Sequence, residues 1–279
     1  MPLSYGIQTI TAPTSQIEGI ISWTVDEMID YVGSNLADGW VFYPHNKSAV
    51  LDICLRANGK KLIDMENNLF DHDLFVKMLD FANQFTPDHI YTYGSVFDHI
   101  RDNKIVLRVA NIQSITIVQL VLNEFVEMLA FPGYPTETGG GNLAHSNVFI
   151  SMNQQSSNKE AGWAFINSML TDDFQRYFTS FIGLPIRKSA LRAQARVNRE
   201  GIITFAGSDI ELEIYPATEN EMQILNDLIE SVSQTSFWDE QIYKFILEEA
   251  QFYFNGDKTA IEVAMIIQNR ISIYLSETD

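Results

Sequence analysis

Phe252-Tyr-Phe-Asn-Gly-Asp-Lys-Thr-Ala-Ile-Glu-Val-Ala-Met-Ile-Ile-Gln-Asn-Arg-Ile-Ser-Ile-Tyr-Leu275 holds a helix stop, a helix start and an amphipathic face in one run. Gly256 is placed to end the preceding helix, because glycine enters the left-handed backbone region without steric cost. Thr259 and Glu262 have the spacing of a capping box, in which hydroxyl and carboxylate each bond the other residue's backbone N–H. Val263, Ile266, Ile267, Arg270, Ile271 and Tyr274 follow at helical spacing. One stripe of that helix therefore needs cover from the rest of the chain. The stretch predicts a helical hairpin over 240–254 and 259–276, packed on a larger body.

The same grammar recurs upstream. Thr24 with Glu27, Ser157 with Glu160 and Thr218 with Glu221 repeat the box spacing, and Trp23 and Met28 are placed to staple the first of these turns. Helices are predicted over 24–36, 71–85, 158–170 and 219–232, with Pro87 ending the second. Lys47 to Arg56 reads as weakly helical, stopped by Asn58-Gly59. Residues 3–12 read as extended, and strands are predicted near 40–43, 105–110 and 148–151 from their aromatic and β-branched content. For 125–131 periodicity leaves strand and helix end both open. Strands and helices alternate at first and helices dominate late, so the class is α/β. Pro132-Gly-Tyr-Pro, Gly139-Gly-Gly141 and Gly183-Leu-Pro185 break the chain sharply and read as crossovers between lobes.

At 279 residues and 46% hydrophobic content the chain can bury a substantial core. Acidic residues outnumber basic ones 36 to 18, and the formal charge of -18 repels phosphate backbones and anionic lipid surfaces. Nucleic acid is thereby excluded as an expected partner. Cys54 is the single cysteine, which rules out intrachain disulfides and cysteine-based metal clusters. Its apolar setting suits a packed thiol. The first residues show no basic, apolar or lipid-acceptor leader pattern, and no apolar run approaches the roughly 20 residues of a membrane span.

Motifs of catalysis are weak. Gly139-Gly140-Gly141 lacks the spacing of a phosphate cradle. His45, His72, His89, His99 and His145 are scattered without metal-ligand spacing. The acid pairs Asp172-Asp173, Glu248-Glu249 and Asp71/Asp73 mostly sit at predicted helix N-termini, where they offset the macrodipole. Neither a cofactor nor a metal is expected, and the chain is not expected to be an enzyme. Aromatic and amide residues are more informative. Sugar rings stack their C–H faces on aromatic planes while amides take the hydroxyls, so a carbohydrate cleft needs both together. Trp40, Tyr43 and Asn46, then Asn111 and Gln113, then Trp238 and Tyr243 have that composition and are the expected ligand-binding residues. Each group is equally compatible with core packing beside a polar turn.

Trp23-Thr-Val-Asp-Glu27, Asn158-Lys-Glu-Ala-Gly-Trp-Ala-Phe165 with Phe174-Gln175, Gly183-Leu-Pro-Ile-Arg-Lys188 and the C-terminal run resemble, in order and spacing, the carbohydrate-type extracellular solute-binding proteins (family 1), the receptor subunits of ABC importers. The resemblance implies a periplasmic-binding-protein-like type II clamshell with a sugar, in particular an oligosaccharide, held between two lobes. It also implies delivery to the transmembrane permease subunits, and an extracellular lipoprotein form that acts as a monomer. The chain begins where the family's first crossover is expected, so it is expected to be truncated, with signal, lipobox and most of one lobe missing. On that expectation 1–138 and 184–279 form the retained lobe, and 139–183 form a hinge with a strand-helix fragment of the other. The competing readings are a secreted glycoside hydrolase-like enzyme and an idle or ligand-sensing lobe.

Overall fold

Pro2–Pro13 forms β1, twelve residues long and therefore roughly 40 Å from end to end, and the sheet is assembled around it. A computed structural model of the chain describes residues 1–17, 19–20, 22–35, 42–43, 46–67, 69–85, 99–100, 102, 105–125, 128–136, 139, 141–178, 182–196, 201–204, 211–237 and 239–278. One side of β1 carries β7 (Asn142–Phe149), antiparallel, with Gly6 opposite His145 and Gln8 opposite Leu143. The other side carries β5 (Leu107–Ile112), also antiparallel, with Ile7 opposite Ile112 and Ile10 opposite Val109. Short strands β6 (Leu129–Ala130) and β8 (Leu184–Pro185) pair with what remains of β1. β11 (Val232–Thr235) adds parallel to β7, and β2 (Phe42–Tyr43) adds parallel to β5. The order β11-β7-β1-β5-β2 makes a mixed sheet, as an α/β lobe requires.

Strand alternation divides the sheet's two faces between two cores. On one face Ile10, Ala12, Leu107 and Leu143 pack against α1 (Val25–Asn35), α2 (Lys47–Leu62), α3 (His72–Ala82), α9 (Glu240–Phe254) and α10 (Ala260–Thr278). On the other, Ile7, Ala110 and Ile112 pack against α4 (Ile115–Glu124), α7 (Lys188–Arg196) and α8 (Glu219–Glu230). α5 (Lys159–Met169) and α6 (Asp172–Phe178) follow the end of β7. Two small antiparallel pairs complete the described elements, β3 (Ile63–Asp64) with β4 (Leu69–Phe70) and β9 (Gly201–Thr204) with β10 (Glu211–Ile214).

Helix starts follow the caps. Thr24 and Glu27, Thr218 and Glu221, and Thr259 and Glu262 each exchange both bonds of a capping box. Gly256 stands at φ 81° between α9 and α10, where a side chain would be strained. The fourth box does not form. α5 is N-capped by Asn158, whose side chain makes no capping bond, while the Asn158 backbone N–H donates to Ser156 Oγ in a local turn. α2 also differs from its prediction, because it runs through Asn58-Gly59 to Leu62. Asn58 donates to the Cys54 and Pro135 carbonyls at 2.9 and 3.0 Å, and the Phe237 ring lies 2.2 Å from where a Gly59 Cβ would stand. The two residues stay helical because tertiary partners outweigh their turn propensity. Strand β7 begins six residues before its predicted start, directly after the glycine run.

The α9–α10 hairpin is held by a charge cluster. Glu249, almost fully buried, accepts from Lys258 and Arg270 at 2.9 Å each, and Arg270 also donates to Glu248 at 2.7 Å. Across the sheet, buried Arg108 of β5 and Glu124 of α4 meet in a two-pronged pair at 2.7 Å.

Candidate functional site

Three hydrogen bonds draw the second half of α2 against β11 and the residues after it, and a fourth ties the end of β11 to β7. Phe237 N donates to the Arg56 carbonyl at 2.9 Å and Gln234 Nε2 to the Ala57 carbonyl at 2.6 Å. Lys60 Nζ reaches Thr235 Oγ1 at 2.9 Å, and Ser236 N donates to the Ala144 carbonyl at 2.8 Å. The last of these is also where β11 parts from β7, whose pairing ends at Thr235 and Ala144. A cavity of about 650 Å³ opens there, lined by Pro2, Tyr5, Arg56, Ala144, His145, Ser146, Phe149, Thr235 and Ser236.

Its charge is compensated from within. Arg56 Nε donates to Asp52 one helical turn earlier at 2.7 Å, and the guanidinium lies over the Tyr243 ring, 5.6 Å from its centroid. Burial raises the Asp52 carboxyl, while its bond to Arg56 and the guanidinium charge act against that rise. Burial also raises the Tyr5 phenol, which keeps it protonated and uncharged at neutral pH. The His145 imidazole is shifted down, first by burial and then by the Arg56 charge, against a hydrogen bond with Asn147 that favours protonation. At neutral pH the cavity therefore presents an internally paired arginine, a neutral histidine, hydroxyls and aromatic rings.

Gly6 makes the sheet floor usable. A Cβ there would stand 2.4 Å from His145 Cε1 and 2.9 Å from Asn111 Oδ1, so imidazole and amide meet above the one residue of β1 without a side chain. Gln8 shares this sheet face, two residues along and paired with Asn111. Three polar atoms here are buried without a hydrogen-bond partner among the described residues: Gln8 Oε1, His145 Nδ1 and Ser236 Oγ. Buried polar atoms are ordinarily satisfied, so such a concentration marks a place built for something else to bond. A second hollow of about 600 Å³ lies between α1, α3 and α10, lined by residues including His72, Asp73, Lys77 and Asp80. It holds none of these unpartnered atoms, and Lys77 pairs with Asp26.

The sequence-predicted ligand residues are dispersed around this centre. Asn111 is exposed on the Gly6 face, and Gln113, half-buried, follows the end of β5. Tyr243 is 5% exposed and packs in the main core beneath Arg56. Asn46 caps α2 by accepting from Ala49 N at 2.8 Å. Tyr43 packs beside Ile100, Ile105 and Phe125, away from the cavity. Trp40 and Trp238 lie outside the described residues. Composition passed over Arg56, His145 and Ser236, which carry the polar contacts. A glycine inside a strand pattern, Gly6, was the available signal that something approaches the backbone closely.

The described acid pairs stand elsewhere. Asp71 accepts from Leu74 N as the cap of α3, Asp172 and Asp173 open α6, and Glu248 and Glu249 belong to the α9–α10 charge cluster. Cys54 is buried, and burial pushes its thiol up to about 12, which leaves it inert. Among the described residues no helix is long and apolar enough to cross a membrane, and no group of three or more His, Cys, Asp or Glu is placed to hold a metal ion.

No protein-family profile matches this chain, and no curated protein does. Solved structures match throughout. The extracellular solute-binding protein family 1 member from Alicyclobacillus acidocaldarius is 14% identical, with a TM-score of 0.60 over 99% of this chain and 71% of its own. The sugar-binding protein MalE from Xanthomonas citri is 15% identical, with a TM-score of 0.62 over 100% of this chain and 71% of its own. A de novo designed cysteine esterase, ECH19, matches at 15% identity and a TM-score of 0.60, covering 100% of this chain and 72% of its own. The chain thus has the α/β fold of the periplasmic-binding-protein-like solute-binding proteins. That fold by itself does not assign chemistry.

Proposed function

We propose that this chain is the ligand-holding part of a non-catalytic receptor for a neutral sugar or short oligosaccharide, serving an ABC importer at the cell exterior. The observation that carries the reading is the cavity beside β7, where His145 and Ser236, each with a buried polar atom unpartnered among the described residues, line the wall together with Phe149 at the end of that strand. A polyhydroxylated ligand needs that pairing of ring faces with hydroxyl partners. A carboxylate ligand finds Arg56 already paired with Asp52. The likeness in fold to a sugar-binding protein agrees with this, and so does the use of the described acid pairs as caps and clasps rather than as a facing pair in the cavity. Asn111 and Gln113 at the rim extend the hydroxyl contacts, and Trp40 and Trp238 are proposed as further stacking platforms.

Capture in such a receptor needs a second wall. Phe149, Trp163, Phe165 and Tyr177 are 70%, 53%, 58% and 71% exposed, and all lie on or after the end of β7. An apolar surface of this kind marks an interaction site. We propose that a second α/β lobe seats there and closes over the ligand, with the bound state favoured because ligand touches both lobes only when closed. The segments 132–143 and 182–186 are then the crossovers.

Titration calorimetry with maltotriose tests the function, followed by chromatography of the recovered ligand. Saturable binding with the trisaccharide returned intact is expected. Cleavage of the trisaccharide overturns the non-catalytic reading, and absence of heat from maltotriose and other neutral sugars overturns the receptor reading.

A further inference from the structure

Resting on the receptor reading, we infer that His145 determines what the cavity accepts, by offering the ligand an unprotonated ring nitrogen. The site then selects hydroxyl donors over carboxylates and loses ligand as the ring takes up a proton. The geometry places the ring first. Its Cε1 and Nε2 edge lies against Gly6, where any side chain would collide with it. Asn147 bonds the ring in a manner that favours its protonated form, as an acceptor of a ring N–H does. In the neutral ring the remaining nitrogen, Nδ1, then carries a lone pair. Among the described residues that atom is buried without a partner, as is Ser236 Oγ in the same cavity and Gln8 Oε1 on the same sheet face. Two of the three are acceptors only, and the hydroxyl of Ser236 accepts as readily as it donates. Such a cluster is satisfied by a molecule that brings donors.

The groups around His145 set the direction of its response to pH. From α2 come Arg56 and its partner Asp52, from β1 comes Tyr5, from β7 Asn147, and from the end of β11 the uncharged Thr235 and Ser236. Tyr243 of α9 lies under the guanidinium. A proton on His145 would occupy the lone pair and set a second cation beside Arg56, whose partner Asp52 is already engaged. Burial and the Arg56 charge hold the ring's pKa below 6.5, so the acceptor is present through neutral pH and is lost only in acid. Since the bound state requires the unprotonated ring, affinity is full above that pKa and falls as pH drops through it. The limiting slope is about tenfold per pH unit for one linked proton.

The test is calorimetric titration of the chain with maltotriose and with its 6-carboxylate derivative from pH 4.5 to 8, for the wild type, His145→Phe and His145→Gln. Phenylalanine keeps the planar ring over Gly6 without the acceptor, and circular dichroism with a thermal melt confirms that each variant is folded. Expected are weaker binding of the carboxylate than of the neutral sugar at pH 7, a wild-type affinity that decays below pH 6.5, and an affinity for His145→Phe about tenfold lower at pH 7 with the pH slope gone. Partial recovery in His145→Gln, whose amide oxygen is again an acceptor, supports the assignment. If the phenylalanine variant does not fold, the wild-type pH series and the glutamine variant decide the matter. Maltotriose binding that is equally tight in His145→Phe or independent of pH overturns the inference alone, as does a preference for the carboxylate at pH 7. Failure of every neutral sugar to bind overturns the receptor reading, and this inference with it.

Discussion

Helices α10 and α5 are written in much the same language and have opposite fates. α10 buries Val263, Ala264, Ile267, Ile271 and Leu275 against α9 and α3, and its stripe is closed by the core it was expected to need. α5 carries Trp163, Phe165 and Ile166 and buries only the isoleucine. The comparison teaches that an amphipathic pattern states a demand for cover without naming what supplies it. For α10 this chain supplies the cover, and for α5 we propose that another lobe does. Polar groups show the same contrast. Glu249 in the hairpin is bonded by two cations, whereas His145 and Ser236 at the cavity, and Gln8 on the same sheet face, keep atoms unpartnered among the described residues.

The contrast can be broken most forcefully at the satisfied side. Glu124→Ala leaves the Arg108 guanidinium buried without its two-pronged partner, and a loss of about 3–5 kcal/mol in denaturant-derived stability is expected. Ile267→Ala removes a fully buried side chain from the α10 stripe and is expected to cost about 2–5 kcal/mol, read from the shift in urea midpoint at constant slope. Thr259→Ala deletes one half of the capping box that starts the same helix, for about 0.5–2 kcal/mol. On the open side, Trp163→Ser and Phe165→Ser should move the thermal midpoint little, corresponding to about 0.5 kcal/mol or less, while making the chain less prone to associate in sedimentation experiments. Destabilisation by the α5 pair as large as that from Ile267→Ala would erase the distinction between the two helices.

What the sequence made legible follows the same line. Local signals sufficed for three capping boxes and the Gly256 stop, because each depends on residues within one turn. The continuation of α2 through Asn58-Gly59 was not legible, since it depends on Pro135 and Phe237, about 80 and 180 positions away along the chain. The candidate site was less legible. Asn111 lies within β5 and not after it, with its amide over Gly6 beside the His145 ring, whereas Tyr243 is an aromatic that packs in the core under Arg56. His145, Arg56 and Ser236 converge only through pairing of β1 with β7 and through the bonds from α2 to β11, and no spacing in the chain foretells that.

Gly6→Ala offers the most direct test of the claim that the polar face of β7, β1 and β5 holds the ligand, because the three atoms nearest the added methyl group belong to the His145 ring and the Asn111 amide. Maltotriose affinity of this variant, measured by calorimetry beside its thermal midpoint, is predicted to fall at least about tenfold while the fold persists. An affinity equal to that of the wild type, in a variant shown to carry the displaced imidazole, would contradict the account.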